Sequence, residues 1–427
     1  MIEPRVLKGF RDSLPQQEIV RQKLMARVQQ IFRSFGFVPI DTPALEYTEV
    51  LLGKGGGETD KQMFRFTDNG GRDVAMRFDL TVPLARYVAA NYSQLSFPFK
   101  RYHISKVWRG EKPQKGRYRE FWQCDFDMVG VDNAQSDFEI LLLIRTCLSE
   151  MKVGSFKVSV SHRGLLNRFL SGLGMENKSA EVLRAIDKLN KIGVDGVREL
   201  LAEEGLDDAC IEKVLSFISI EKNSFGATLD ILKGMFGDCP EIERLTAIYG
   251  MMQECGIEGD FILDTSITRG LDYYTGIVYE TLLTDMPQIG SICSGGRYNN
   301  LAGLYTKENL PGVGSCIGID RLLAALEELK SPIVTDASYA DVMVMGLKDN
   351  PAWSESVAMK LRAMGLRADS YVGEKGPGQQ FAYAEKNGIP YVVTGQTGDS
   401  FSVKEIATRK VTDGLSLEGI VFLCKTI

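Results

Sequence analysis

The densest collection of groups that could do chemistry lies between Phe99 and Gly130, where two strand-like segments flank a basic loop. Alternation along the second segment puts Arg119, Phe121, Gln123, Asp125 and Asp127 on one face. Tyr118, Trp122, Cys124, Phe126 and Met128 take the other face, broken by Glu120. On the first segment Arg109 and Glu111 share a parity. Guanidinium, amide and short carboxylate groups around a phenyl ring fit a ligand with phosphate, ammonium and ring parts. The same alternation describes an antiparallel sheet with one wet face, and both readings are open at this point. Residues 100–119 hold eight basic side chains (Lys100, Arg101, Lys106, Arg109, Lys112, Lys115, Arg117 and Arg119) against Glu111 alone, a local charge of +7 in a chain of net −6. Arginine takes phosphate in bidentate fashion, and Lys112 and Lys115 suit the backbone phosphates of RNA.

Four other segments add candidate groups. Arg77-Phe78-Asp79-Leu80-Thr81 places a carboxylate and a hydroxyl at strand-like spacing. Thr268-Arg269-Gly270-Leu271-Asp272-Tyr273-Tyr274-Thr275-Gly276 is a glycine-bracketed loop with a cation, a carboxylate and two phenols. Ser294-Gly295-Gly296-Arg297-Tyr298 and Pro311-Gly312-Val313-Gly314 read as glycine-rich turns, the second leading through a strand into Asp320-Arg321-Leu322. No P-loop and no dinucleotide-binding glycine fingerprint competes with them.

The elements that must hold these groups follow from periodicity. Residues 13–36 read as an amphipathic helix, with Ser13 and Gln16 as a capping box, Val20, Leu24, Val28, Ile31 and Phe35 at helical spacing, and Gly36 as the stop. A short strand over 37–40 follows, and strand-like alternation dominates 58–130, with a hairpin signal at Asp68-Asn69-Gly70-Gly71. Residues 136–151 are helical. Residues 177–256 carry about five short helical patterns separated by Gly193, Gly205, Gly226 and Gly237, an all-helical insertion. Strands return over 260–318, and a helix covers 320–329. Beyond Ser331-Pro332 strands at 340–345, 366–371 and 391–394 alternate with helices at 352–364 and 379–386, a small α/β module with buried parallel strands.

Composition narrows the function. At 427 residues the chain has room for about three domains. Eight dispersed cysteines without a CxxC pair suit neither a zinc cage nor a disulfide scaffold, and two histidines leave little for His-rich metal sites or Ser-His-Asp catalysis. No stretch reaches the ~18 apolar residues of a membrane span, and the start lacks a secretory pattern. A soluble, cytoplasmic protein without membrane association is the expectation.

Taken together the segments resemble the histidyl-tRNA synthetases, class II aminoacyl-tRNA synthetases. Motif 1 is matched by the helix 16–35 and the strand ending at Pro43, and motif 2 by Trp108-Arg109-Gly110-Glu111 through Arg117-Tyr118-Arg119-Glu120-Phe121. Gly318-Ile319-Asp320-Arg321 matches motif 3, and Arg269-Gly270-Leu271-Asp272-Tyr273-Tyr274-Thr275-Gly276 with Ser294-Gly295-Gly296-Arg297-Tyr298 match the histidine signatures. Lys8-Gly9-Phe10-Arg11-Asp12 matches the family's opening. The resemblance implies an α+β fold: a class II antiparallel catalytic sheet flanked by helices, a helical insertion and a C-terminal α/β anticodon-binding-like domain. Its implied boundaries are a catalytic domain in two parts, 1–171 and 257–332, an insertion over 172–256 and the C-terminal domain over 333–427. It also implies a homodimer, and ATP-dependent activation of L-histidine followed by transfer to the 3′ end of tRNA(His).

By match to the family, Arg109 and Arg269 are the catalytic pair flanking the α-phosphate. Arg117 and Arg321 hold the outer phosphates with substrate-bound Mg²⁺, Phe121 stacks on adenine and Glu111 accepts from its amino group. The histidine ammonium meets Asp79, Thr81 and Gln123, and its imidazole meets Asp127, Tyr274 and Tyr298. Leu80 and Tyr273 complete that pocket together with Arg109 and Arg269. Lys112 and Lys115 face tRNA, and no metal is held by the protein itself. Residues 336–427 carry ten Lys or Arg against eleven Asp or Glu, a net charge of −1, so the C-terminal module is not basic. The alternative within the resemblance is a regulatory-subunit paralogue of ATP phosphoribosyltransferase, a non-catalytic role.

Overall fold

The computed structural model describes residues 1–53, 58–267, 274–335 and 338–425. The chain forms two compact units, Met1–Arg11 with Leu24–Leu329 and Asp12–Lys23 with Lys330–Ile427. The first long helix, α1 (Pro15–Ser34), starts later than its expected capping box. Pro15 takes the first helical position, where its fixed φ and missing N–H cost nothing, so Ser13 stays outside the helix. The expected stop holds: Gly36 has φ +78°, and Phe37 N–H reaches back to the Phe32 carbonyl.

The first unit is built on an eight-stranded sheet. After β1 (Val38–Pro39) come β2 (Leu45–Tyr47), α2 (Thr48–Leu52) and α3 (Glu58–Gln62). Next, β3 (Arg65–Thr67) and β4 (Asp73–Met76) form the expected hairpin, in a small three-stranded sheet with β2. The strand expected over 77–81 is instead the entry to α4 (Thr81–Ala90). Asp79 decides this, because its Oδ1 accepts the N–H groups of Thr81 (3.1 Å) and Val82 (2.9 Å) and so satisfies donors a helix start leaves open.

Two ten-residue strands follow, β5 (Phe99–Trp108) and β6 (Glu120–Val129), then α5 (Ala134–Glu150), β7 (Phe156–His162) and α6 (Arg163–Gly172). Residues 179–254 hold five helices: α7 (Ser179–Ile186), α8 (Leu189–Glu203), α9 (Asp208–Ile218), α10 (Phe225–Phe236) and α11 (Pro240–Glu254). Gly193, at φ +70°, breaks α8 into two helical stretches as expected. One of the glycines expected to separate helices does not: Gly226 lies inside α10, where a Cβ would come 2.5 Å from the Tyr249 hydroxyl on α11. Gly226 therefore serves close helix packing.

The sheet is completed by β8 (Phe261–Leu263), β9 (Ile277–Leu283), β10 (Cys293–Arg297) and β11 (Gly312–Gly318), and α12 (Ile319–Glu328) closes the unit. The order is β1-β5-β6-β11-β10-β9-β7-β8, antiparallel from β5 through β7 with one parallel strand at each edge. Phe126 on its rear face packs Phe32 of α1 at 4.9 Å between ring centroids, and Phe32 also meets Tyr102. Each such ring buries surface worth about 1.5–3 kcal/mol, so the rear face anchors the sheet and frees the front for polar groups.

The second unit holds β12 (Val342–Val344), α13 (Pro351–Ala363), β13 (Ala368–Ser370), α14 (Pro377–Lys386) and β14 (Tyr391–Thr397). The strand order is β13-β12-β14-β15-β16. The first three are parallel, as their continuous apolar runs imply. β15 (Ser400–Glu405) and β16 (Val411–Leu415) add an antiparallel edge that periodicity did not reveal, before α15 (Leu417–Lys425). Among the described residues no helix is long and apolar enough to cross a membrane.

Candidate active site

The β5–β6 hairpin sets the floor by register. Arg101 faces Asp127, His103 faces Asp125 and Ser105 faces Gln123, while β11 brings Gly314, Cys316 and Gly318 against the same three β6 residues. The segments expected as glycine-rich turns are the strands β10 and β11. Their glycines are there because neighbouring side chains occupy the space of a Cβ. At Gly314 it would lie 1.9 Å from Asp127 Oδ1, at Gly312 2.3 Å from the Tyr298 ring, and at Gly296 2.9 Å from Tyr274. Three missing side chains thus seat Asp127, Tyr298 and Tyr274.

Above this floor opens a cleft with about 730 Å³ of empty space, lined among others by Arg109, Glu111, Arg117, Phe121, Gln123 and Arg321. That brings together all five residues expected at ATP and two expected at histidine, Gln123 and the shared Arg109. Arg109 lies beyond the end of β5, not on it; its Nε donates to the Phe78 carbonyl at 3.0 Å, and its guanidinium sits 4.5 Å from the Phe78 ring centroid and 5.2 Å from that of Phe121. Pinned through Nε and two rings, it can present its terminal nitrogens to an anion. Arg117 stands on a tight turn, closed by its own N–H to Gln114 O (2.8 Å) and eased by Gly116 at φ +70°. Its Nη1 lies 3.4 Å from Glu111. Arg321, at the start of α12, donates to the Ser291 carbonyl.

Deeper in, three carboxyls surround one guanidinium. Asp127 accepts from the Tyr298 hydroxyl at 2.5 Å and pairs with Arg101 at 2.6 Å, and Arg101 is fully buried. Burial raises the Asp127 carboxyl above its ordinary value, with Arg101 and the Tyr298 hydroxyl pulling the other way. Asp79 is also raised by burial, against the Val82 N–H and Arg109. Burial pushes Asp125 up to about 7, opposed by Arg101. A buried guanidinium keeps a counter-anion, so one proton-poor carboxylate is secure. Of the other two acids, Asp79 also feels Arg109, and Asp125 shares Arg101.

Leu80 is buried, and its carbonyl accepts from Arg101 Nη2 at 3.4 Å. Thr81 stands at the first turn of α4 beside Asp79. Arg269 and Tyr273 lie outside the described residues.

The basic loop is less positive than its composition. Arg101 points into the core, Lys100 pairs with Glu139, Lys106 with Glu120 and Lys115 with Glu328. Arg119, placed by alternation on the ligand face, instead donates to the carbonyls of Glu111 and Lys8 and braces the N-terminal segment. Lys112 is exposed with no ion pair among the described residues.

Sequence reasoning assigned no role to Arg101, Asp125, Cys316 or Asp320. Asp320 pairs with Arg11 at 2.5 Å and accepts the Trp122 N–H at 2.7 Å, tying α12 to the cleft edge. The parity shared by Arg101 and Arg109, and by Asp125 and Asp127, was the available signal for the first two. Among the described residues no cluster of three or more His, Cys, Asp or Glu side chains is arranged to hold a metal.

The crystal structure of a histidyl-tRNA synthetase from Nostoc sp. PCC 7120 superposes with a TM-score of 0.87, at 30% identity and 99% coverage of both chains. With the arginine-lined cleft on an antiparallel sheet, this defines the class: a class II aminoacyl-tRNA synthetase fold. The histidyl-tRNA synthetase family model matches residues 9–322, and an anticodon-binding-domain model matches 341–417. Curated histidine–tRNA ligases from Treponema denticola (54% identity, 91% of this chain and 88% of that one) and Rhodopirellula baltica (45%, 97% and 96%) align along the chain. The chain belongs to the histidyl-tRNA synthetase family. A structure from Bacillus halodurans C, titled as an ATP phosphoribosyltransferase regulatory subunit/histidyl-tRNA synthetase, shares the fold at 23% identity and a TM-score of 0.75.

Proposed function

We propose that the protein is a histidine–tRNA ligase, which condenses ATP and L-histidine to histidyl-adenylate and pyrophosphate and then transfers the histidyl group to the 3′ end of tRNA(His). One observation carries the reading: a single cleft gathers Arg109, Arg117 and Arg321 with Gln123 of β6, the strand that also carries the buried Asp125 and Asp127. Attack of a carboxylate on the α-phosphorus builds negative charge on nonbridging oxygens and needs little proton transfer. Arg109, with Arg269, is assigned to those oxygens, and Arg117 and Arg321 to the outer phosphates of MgATP, the metal entering as part of the substrate. Phe121 offers a ring face to adenine and Glu111 an acceptor to its amino group. Asp79, Thr81 and Gln123, with Leu80 alongside, are assigned to the histidine ammonium, and Asp127, Tyr298, Tyr274 and Tyr273 to the imidazole. A hydrogen-bonding pocket of this kind rejects apolar analogues by about 10⁴–10⁵.

The reading includes a homodimer in the cytoplasm, tRNA contacts through Lys112 and Lys115, and the domain boundaries given above. The test is ATP–pyrophosphate exchange by the purified protein alone, followed by charging of total tRNA. Exchange that depends on L-histidine and yields histidyl-tRNA is the expected result. A protein silent in both assays would take the regulatory-subunit role instead.

A further inference from the structure

We infer that Arg11, in the N-terminal segment, is a positioning residue for the phosphate end of the cleft: it clamps Tyr118 to Asp320 and so sets the separation of their chain neighbours, Arg117 and Arg321. The inference rests on the ATP assignment proposed above. Arg11 Nη2 pairs with Asp320 Oδ1 at 2.5 Å, and Nη1 donates to the Tyr118 hydroxyl at 3.0 Å. The guanidinium carbon lies 3.9 Å from the centroid of the same tyrosine ring, a cation–π contact. Tyr118 and Asp320 line the cleft beside Arg117 and Arg321, and among the described residues Arg11 is not part of that lining. It therefore acts on the cleft through its two partners.

The clamp is anchored at both ends. Arg119 N–H donates to the Gly9 carbonyl at 2.8 Å, and a Cβ on Gly9, at φ +88°, would fall 2.8 Å from Arg119 Cδ, so a glycine lets the segment lie this close. Phe10, next to Arg11, meets the Phe64 ring edge-on at 5.9 Å. At the far end both carboxylate oxygens of Asp320 are engaged, Oδ1 by Arg11 and Oδ2 by the Trp122 N–H of β6 at 2.7 Å. The turn that carries Arg117 rests on the first turn of α12, where a Cβ on Gly116 would lie 3.5 Å from Arg321 Cγ. Two guanidiniums directed at one polyanion repel each other, and a turn free to swing would relieve that repulsion by widening the site. Arg11 opposes this by holding the residue after Arg117 and the residue before Arg321 to one planar group.

The test uses Arg11→Met, which keeps the stem and removes the charge and its donors. Arg11→Lys keeps a charge for Asp320 but not the planar group for Tyr118. Pyrophosphate is the outer phosphates alone, and AMP is the nucleotide without them. In histidine-dependent exchange, Arg11→Met is expected to raise the KM of ATP and of pyrophosphate by about tenfold, the low end for a charge-assisted hydrogen bond whose donor side chain is 31% exposed. The inhibition constant of AMP and the KM of histidine should stay within about twofold, since neither ligand reaches the clamped pair. Arg11→Lys should leave the ATP KM about threefold above the parent, because a point charge restores one of the two contacts. In an Asp320→Asn background Arg11→Met should add less than about twofold, the clamp having already lost its anchor. An unchanged KM for ATP, equal losses for ATP and AMP, or the full tenfold added in the Asp320→Asn background each overturns the inference. A parent protein with no histidine-dependent exchange would instead sink the underlying function, and the inference with it.

Discussion

Gly314→Ala tests whether the floor is built by leaving side chains out. A Cβ at this position would lie 1.9 Å from Asp127 Oδ1 and 2.8 Å from the Phe126 carbonyl. Ordinary contact needs about 3.4 Å, so the carboxylate must retreat by roughly 1.5 Å. It sits 2.5 Å from the Tyr298 hydroxyl and 2.6 Å from Arg101, so such a shift breaks one or both contacts. Uncoupling a buried pair costs about 3–5 kcal/mol and overpacking about 1–3. Partial relaxation shares these terms, and a loss of about 3 kcal/mol is expected. Urea denaturation should read it as a lower midpoint, and exchange kinetics as a histidine KM raised more than that of ATP. The control is the same change in an Asp127→Ala background. With the carboxylate gone, the closest of the three nearest atoms that remains is the Phe126 carbonyl at 2.8 Å, and the cost should fall to about 1 kcal/mol. A coupling of about 2 kcal/mol is expected for residues in contact. If Gly314→Ala costs the same in both backgrounds, the glycine is not there to seat Asp127.

Three further predictions concern separate parts of the molecule. Arg269→Ala should lower adenylate formation by about 10²–10³, as for loss of one transition-state donor; exchange within about threefold of the parent would remove it from the α-phosphate. His162 is buried, and burial lowers its imidazole to about 4 from an ordinary 6.5. The unfolded chain therefore takes up the proton first, and stability that is complete above about pH 6.5 is lost as pH falls toward 4. His162→Asn keeps an acceptor for the Gly164 N–H and should remove about 3 kcal/mol of that loss between pH 7 and 4; identical pH profiles in urea titrations would contradict this. Lys112→Ala should weaken tRNA binding and reduce its salt slope by roughly one. Lys115→Ala, whose ammonium is shared with Glu328, should weaken binding in the same direction but less than Lys112→Ala in tRNA titrations at two salt concentrations, and an effect larger than that of Lys112→Ala would contradict the pairing.

Much of this architecture was legible in the chain because it repeats. The helical pattern of α1, the alternation of β6 and the five helices over 179–254 each carry several residues of signal, and the structure has all of them. What alternation could not show was where a polar group overrides it. Asp79 sits in a run that reads as a strand, yet its carboxylate caps the following helix. Gly296 and Gly314 read as turns, because a glycine in a strand has the same appearance until its neighbours are known. The eight-cation loop looked like one patch, since net charge along the sequence is blind to Glu139 and Glu328, which arrive from distant helices. Arg101 was hidden among those cations, although the hairpin register that joins Arg109 to Arg119 also places Arg101 opposite Asp127.

Arg101 also explains how so many acids can share one floor. Asp79, Asp125 and Asp127 are each pushed up by burial, and together without a cation they would repel one another. One fully buried guanidinium, joined at Asp79 by Arg109, holds the cluster without neutralising it, because two positive charges face three carboxyls. Its Nε and Nη1 make no hydrogen bond in the protein, so even that cation is incompletely satisfied. A floor neutralised in advance would have no electrostatic preference for an amino acid over its des-amino relative. A floor lacking Arg101 would pay the full desolvation of three acids. The intermediate arrangement leaves acids with which an ammonium group can pair, on and beside a strand, β6, whose Gln123 also lines the arginine-bearing cleft. On the function proposed above, an aminoacyl-adenylate in formation, cationic at one end and anionic at the other, matches both the acids and the arginines, which neither free ATP nor a simple cation does.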